Sequence, residues 1–280
     1  MEYELQAAEG NLDVTRNYYH YEDEMMRKKT EEHFTADSWS YTEDGYLMFS
    51  GIGTLDEMYV MTLSDVKEYA ALRVEPLDEA CREWNEKALL PVGYECNNLF
   101  LTDWDETDFG ELDFYDLFDV FYPQIYHRKI PWQSGKNAGN SIAYGIPSKE
   151  FESVIQKFLN VKTDILREKT IYREKDDTYE YYPRGFYESE YPEHPYPEGT
   201  AFQENDDGTV TLTVHAVFPY LGSSRALVHE VTVRPMENAA AAVQYVSNKI
   251  VSSLDDPDDN WYVPRLSGEE RSLLYEENTD

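Results

Sequence analysis

Nucleophilic attack, phosphate cradling and metal binding each need particular side chains at particular spacings, and the chain offers a near-match to each. Gly139-Asn140-Ser141-Ile142-Ala143 approaches a Gly-x-Ser-x-Gly nucleophile elbow. It ends in Ala, however, and Trp132-Gln133-Ser134-Gly135-Lys136 before it is not the apolar strand that an elbow requires. Gly51-Ile52-Gly53 lacks the third glycine of a dinucleotide-binding turn, and Gly135-Lys136-Asn137 lacks the first glycine and the Ser or Thr of a phosphate loop. Both read as turns. The six histidines include no His-x-x-x-His pair. His215 and His229 fall on neighbouring predicted strands; pairing Phe218 with Leu227 puts them on opposite faces, with His215 opposite Glu230. His229 therefore reads as a hydrogen-bonded core residue rather than a metal ligand.

Asp103, Asp105 and Asp108, with Glu106 and Glu111 nearby, suggest the one cofactor worth naming, a calcium ion. The sixth position of a twelve-residue calcium loop is Gly, and here it is Asp108, so solvated charge is the stronger reading. The same holds for Asp255-Asp256-Pro257-Asp258-Asp259. Paired carboxylates for glycosidic hydrolysis must stand about 5–10 Å apart in a cleft, which spacing along an acidic chain does not report. Cys81 and Cys96 fit no zinc or redox spacing, and a disulfide and two free thiols both stay open. No catalytic, cofactor-binding or metal residue is assigned.

The stretch from Tyr172 to Gly199 is the best candidate for a binding surface. Tyr179, Tyr181, Tyr182, Phe186, Tyr187, Tyr191 and Tyr196 sit there among Pro183, Pro192, Pro195 and Pro197. Exposed tyrosines give rigid amphipathic contact area at low entropy cost, which suits a protein, peptide or carbohydrate ligand. The competing reading is that the rings seal the seam between the two halves of the chain.

The elements that must position these residues follow from periodicity. The charge blocks Glu22-Asp23-Glu24 and Arg27-Lys28-Lys29 suggest an exposed helix over 12–33, and Met58–Leu63 reads as a buried strand with a helix from Ser64 to Leu72 behind it. Leu77, Ala80, Cys81, Trp84 and Ala88 repeat at helical spacing after Pro76; Leu112 to Phe121 do so before Pro123. Residues 127–143 read as loop and as the domain boundary. Phe151, Val154, Ile155, Phe158 and Leu159 fall at i, i+3, i+4, i+7 and i+8, the strongest periodic signal in the chain, and a shorter helix over 163–167 follows. One strand is expected at 178–182. Asp207-Gly208 predicts a hairpin turn into the alternating Thr209–Val214, with further strands at 227–234 and 243–251. The expected fold is α+β: a C-terminal amphipathic helix packed on a curved antiparallel sheet, preceded by a mixed, helix-rich N-terminal region. The expected domains are 1–143, 144–252 and an acidic C-terminal tail over 253–280.

The order Ile146-Pro147, Phe151, Val154-Ile155, then Tyr179-Glu180-Tyr181, Pro183-Arg184-Gly185-Phe186, then Asp207 to Val214, then Gln244-Tyr245-Val246-Ser247-Asn248 resembles uncharacterised lipoprotein-type surface proteins of anaerobic Gram-positive bacteria. The resemblance covers roughly 144–252 and implies a helix-on-sheet domain similar to NTF2-like or cystatin-like folds. It also implies an extracytoplasmic location, with lipid anchoring through a removed N-terminal segment; it implies no activity. One departure is the Ala239–Ala242 run, where a glycine-containing turn is expected.

Composition bounds the partners. The 56 acidic residues against 24 basic ones give a formal charge of −32, which disfavours nucleic acid and anionic membrane surfaces. No stretch approaches the ~20 apolar residues of a membrane span, and the first residues lack the basic and apolar regions of a signal peptide, so a cytoplasmic location stays open. Oligomeric state has no sequence signal. Three functions remain: a non-catalytic, surface-exposed binding or adaptor protein, which leads; a carboxylate-dependent hydrolase acting on carbohydrate or peptide; and an acidic decoy or inhibitor of a basic partner.

Overall fold

The computed structural model describes residues 2–8, 10–22, 25–54, 65–131, 143–185, 188, 194–236, 241–254 and 261–276. The chain divides into two units, Met1–Pro76 with Val217–Ser224, and Leu77–Ala216 with Arg225–Asp280.

In the first unit, β1 (Glu2–Ala8), β2 (Asn11–Glu22) and β3 (Met25–Thr35) form one antiparallel sheet, and β4 (Ser38–Tyr41), β5 (Tyr46–Thr54) and β6 (Asp65–Arg73) form a second. Gly10, at φ +89°, supplies the left-handed residue of the β1–β2 turn that follows the Ala8–Asn11 pair. Leu12 and Val14 of β2, Leu47 and Phe49 of β5, and Ala70 of β6 alternate at period two and share one core, with Tyr3, Phe34 and Trp39 packed against it. Arg16 continues the inward face of β2 and is buried against Glu32 and Glu68.

The helix-rich N-terminal region is therefore a correction. Residues 12–22 and 25–33 form the paired strands β2 and β3, because the period-two stripe Leu12, Val14, Arg16 buries against a sheet. Residues 65–73 have helix-forming composition, yet the ladder from Tyr46–Arg73 to Thr54–Asp65 overrides that propensity. The strand expected at 58–63 lies outside the described residues.

The second unit begins with α1 (Glu79–Trp84), capped by Asp78, whose side chain accepts from Ala80 N, and continued by a π-helical turn over Asn85–Leu89. Short β7 (Trp104–Asp105) precedes α2 (Phe114–Tyr126). That helix runs through Pro123 rather than stopping there, and ends at left-handed His127. The boundary expected within 127–143 falls largely on residues outside the described ones. β8 (Tyr144–Pro147), α3 (Ser148–Phe158), α4 (Thr163–Lys169), β9 (Tyr172–Arg173) and β10 (Thr178–Tyr181) follow, with the three strands forming a small sheet in the order β8-β10-β9. A five-stranded antiparallel sheet, ordered β11-β12-β13-β14-β7, contains β11 (Tyr196–Glu204), β12 (Val210–Phe218), β13 (Ser223–Pro235) and β14 (Val243–Ser253).

The expected fold class is overturned here. Among the described residues there are fourteen strands in four separate sheets, with five α-helices scattered between them, not one helix on one curved sheet. The apolar stripe of α3 is as expected, but its partner differs. Phe151 stacks on Phe118 of α2 and Tyr179 of β10, and Phe158 stacks on Phe121 at 4.1 Å. The helix reaches the large sheet through β14, where Leu159 bridges Tyr245. The aromatic face of α2 thus supplies the surface that α3 covers. Residues 261–276, expected as polar tail, carry buried Trp261 and α5 (Gly268–Glu276) with fully buried Arg271. No helix among the described residues is long and apolar enough to cross a membrane.

Candidate functional site

One face of α2 organises the second unit's charges. Asp113 caps the helix by accepting from Tyr115 N and Asp116 N, at 2.9 and 3.0 Å. Asp116 and Asp119 follow at successive i+3 steps and so lie on the same face. Asp116 has no exposure, and such a carboxylate persists only when charge and hydrogen bonds both compensate its desolvation. Arg184 donates to it through Nε at 2.9 Å and Nη2 at 2.5 Å, Arg265 through Nε at 2.6 Å, and the Tyr262 hydroxyl at 2.7 Å. Asp119 pairs with Arg265 and accepts from Tyr181 at 2.7 Å. Glu188, also buried, accepts from Gly185 N and Leu266 N at 2.9 Å each and pairs with Arg271. Arg271 donates further to Pro183 O at 3.0 Å. The network ties α2, residues 181–185 with Glu188, and the segment 262–271 together.

Three guanidiniums, of Arg184, Arg265 and Arg271, face four carboxylates, of Asp113, Asp116, Asp119 and Glu188. Asp113 holds the excess charge, because its nearest guanidinium contact is 3.9 Å away. Burial first, and then the charge of Asp116, push its carboxyl up to about 6 against the opposing pull of Arg265 and the two capping bonds. The same causes in reverse hold Arg265 well above its usual range: its burial is outweighed by Asp119, Asp116 and Asp113.

A cavity of about 480 Å³ opens beside Asp113, walled by Glu111, Tyr115, Glu168, Tyr182, Arg265 and Glu270 among others. Burial pushes the Tyr115 phenol up to about 12, so it enters the cavity as a neutral hydroxyl, one that already accepts from Ile171 N. Glu270 accepts from Ser267 N and Oγ at the start of α5, and those bonds lower its pKa.

The tyrosine stretch is distributed rather than gathered. Tyr179 is buried and donates to Glu152 at 2.9 Å; Tyr181 is buried and donates to Asp119. These two rings offer no exposed contact area. Tyr182 is half-buried, donates to Glu180 at 2.7 Å and lines the cavity. Tyr196 is half-buried on β11, while Phe186, Tyr187 and Tyr191 lie outside the described residues. Sequence reasoning missed Asp113, Asp116, Asp119, Arg184, Glu188, Arg265 and Arg271. The available signal was the run of aspartates at i, i+3 and i+6, set against scarce arginines.

The aspartates considered for calcium serve the loop itself. Asp103 Oδ1 accepts from Ile250 N; Asp105 Oδ1 accepts from Thr107 N, Thr107 Oγ1 and Asp108 N; Asp108 Oδ1 accepts from Gly110 N. Among the described residues no group of three or more His, Cys, Asp or Glu is placed to hold a metal ion. Cys81 and Cys96 are both free thiols, raised in pKa by burial.

The model of a family of unknown function, DUF6070, matches residues 1–265. No curated protein and no solved structure matches the chain.

Proposed function

We propose that the chain, which belongs to the DUF6070 family, is a non-catalytic binding protein whose cavity beside α2 receives a cationic group, an amine or guanidinium carried by a peptide or protein. The observation that carries this reading is the unequal commitment of the charges on the cavity wall. Arg265 and Arg271 are engaged in the buried network, and Lys169 donates to Gly110 O at 2.5 Å. Glu180 is paired with Arg173, and Glu270 with Ser267. Among the described residues, the carboxylates of Glu111 and Glu168 have no hydrogen-bond or ion-pair partner. What the wall offers a guest is negative charge beside the rings of Tyr115 and Tyr182, the combination that attracts a cation. The net charge of −32 adds long-range attraction of the same sign.

Anisotropy titration with a labelled Lys- and Arg-rich hexapeptide, and an acidic hexapeptide as control, tests this. Only the basic peptide should bind, and Glu111→Gln/Glu168→Gln should weaken it by roughly three- to tenfold, the worth of two partly exposed charge pairs. Equal binding by the double variant would sink the reading.

The position of Asp113 favours a second reading, a carboxylate-dependent hydrolase, since a carboxyl poised at about 6 in a cavity suits general acid work. Asp113→Asn separates the two, because Asn still caps the helix. Hydrolysis of an oligosaccharide or peptide by the parent chain, lost in that variant, would replace the non-catalytic reading.

A further inference from the structure

The first unit holds a cavity of different chemistry. The pairs Ser38–Ser50, Ser40–Met48, Ser50–Tyr69, Met48–Ala71 and Ile52–Lys67 place Ser38, Ser40, Met48, Ser50, Lys67 and Tyr69 on one face of the β4–β5–β6 sheet. This is the face opposite Leu47, Phe49 and Ala70, which fill the core. Over it passes a 3₁₀ turn, Pro219–Leu221, ended by Gly222 at φ +61°. Ser224 Oγ donates to Asp44 Oδ1 at 2.6 Å, which pins the turn to the β4–β5 connection. Sheet face and turn border an open cavity of about 480 Å³.

Three features define what this space can hold. The first is a group of hydroxyls: Ser38 of edge strand β4 and Ser50 of β5 are 2.8 Å apart, and Ser40 lies two residues along β4 on the same face. The second is an aromatic wall. The rings of Tyr69 and Tyr220 lie 4.7 Å apart at 48°, Phe218 stacks on Tyr220 at 6.0 Å, and Tyr220 remains 49% exposed. The third is charge. Among the described residues Lys67 is the only charged side chain on the wall, its ammonium 5.4 Å from the Tyr69 ring and 3.9 Å from an Asp37 carboxylate. In a chain with 56 acidic residues, a wall with no carboxylate among its described residues leaves room for the hydroxyls of a neutral guest, and Lys67 offers a local counter-charge to a weakly anionic one.

We propose that this cavity is a saccharide-binding site, taking one pyranose ring of an oligosaccharide. The apolar C–H face of the sugar lies on Tyr220 and Tyr69, while its hydroxyls bond Ser38, Ser40 and the Lys67 ammonium. An aromatic wall suits a pyranose because the sugar's axial C–H groups form an apolar face with polar edges, matching rings bordered by hydroxyls. A cationic guest is disfavoured by Lys67, so this site is independent of the one beside α2.

Saturation-transfer NMR of the full chain against a panel of neutral and uronate oligosaccharides, up to about 10 mM, tests it. At least one pyranose oligomer should bind, with transfer strongest to ring C–H protons. Tyr220→Ala, at an exposed turn, should weaken binding about tenfold while leaving the thermal midpoint unchanged. Lys67→Gln distinguishes the guest's charge, reducing affinity for uronates more than for neutral sugars. No binding across the panel overturns the proposal, and so does binding that Tyr220→Ala leaves intact. Binding of an apolar peptide in place of sugars, lost in Tyr220→Ala, overturns it as well.

Discussion

At the scale of single residues, burial decides what each titrating group does. His229 has no exposure; its Nδ1 lies 2.6 Å from Asn248 Oδ1 and its Nε2 2.7 Å from the Tyr94 hydroxyl. Asn248 donates its amide to Thr102 O, so its oxygen faces the ring and Nδ1 carries the proton. Burial lowers the imidazole from 6.5 to about 4, the bond to Asn248 opposing. The unfolded chain therefore takes up a proton near 6.5 that the folded chain refuses until about 4. The stability linked to neutral His229 is complete above 6.5 and declines as pH falls toward 4, by ~3 kcal/mol over the window. Asp113 acts with the opposite sign: its folded pKa is raised from 3.8 to about 6, so its contribution is complete below 3.8 and is lost as pH rises through 6. Urea unfolding of His229→Gln across pH 4–7 should show a flatter fall toward acid than the parent; an unchanged slope would refute the assignment. Arg271 is a second residue-scale case. Its side chain is 1% exposed against a Glu188 that is 0% exposed, so Arg271→Met strands a buried carboxylate and should cost about 3–5 kcal/mol. Combining it with Glu188→Gln should cost clearly less than the sum of the two single changes.

At the scale of elements, contacts between distant segments override local preference. The π-helical turn over Asn85–Leu89 is held from outside: Asn85 Oδ1 accepts from Gly199 N at 2.6 Å, and Tyr245 donates to Ala88 O at 2.6 Å. A side chain at Gly199 would meet Asn85 Oδ1 at 3.0 Å and Leu89 Cδ1 at 3.1 Å, both in a packed interior. Gly199→Ala should thus push β11 off the turn and destabilise the chain by about 1–3 kcal/mol, measured by denaturant midpoint at constant slope. An unaltered midpoint would mean that the turn yields freely.

Across the whole molecule the charge works in two directions. Self-repulsion at −32 destabilises the folded chain, while the same field draws a basic ligand toward the cavity beside α2. Raising salt from about 0.02 to about 0.5 M should therefore raise the thermal midpoint and weaken the basic peptide, because screening acts on both. Binding that persists at high salt would place the ligand's recognition in apolar contacts instead. Binding of a neutral saccharide in the first unit should change little over the same range, since Lys67 is the one charged side chain among the described residues of its wall.

What the sequence determined by itself is what neighbours along the chain encode. The stripe of α3, the α1 and α4 helices, the Asp207-Gly208 turn with Gly208 at φ +80°, and the three C-terminal strands all follow from patterns within about ten residues. So does the buried, hydrogen-bonded character of His229. Only the tertiary structure decided that 12–22 pairs with 25–33 and that 65–73 joins a sheet, because alternation and propensity disagree there and the partner strand chooses. It alone brought Arg265 onto Asp116, 149 residues away, and made Glu188 the partner of Arg271. Where carboxylates occur almost everywhere, spacing cannot say which ones will be buried together, and burial is what turns a common residue into a site.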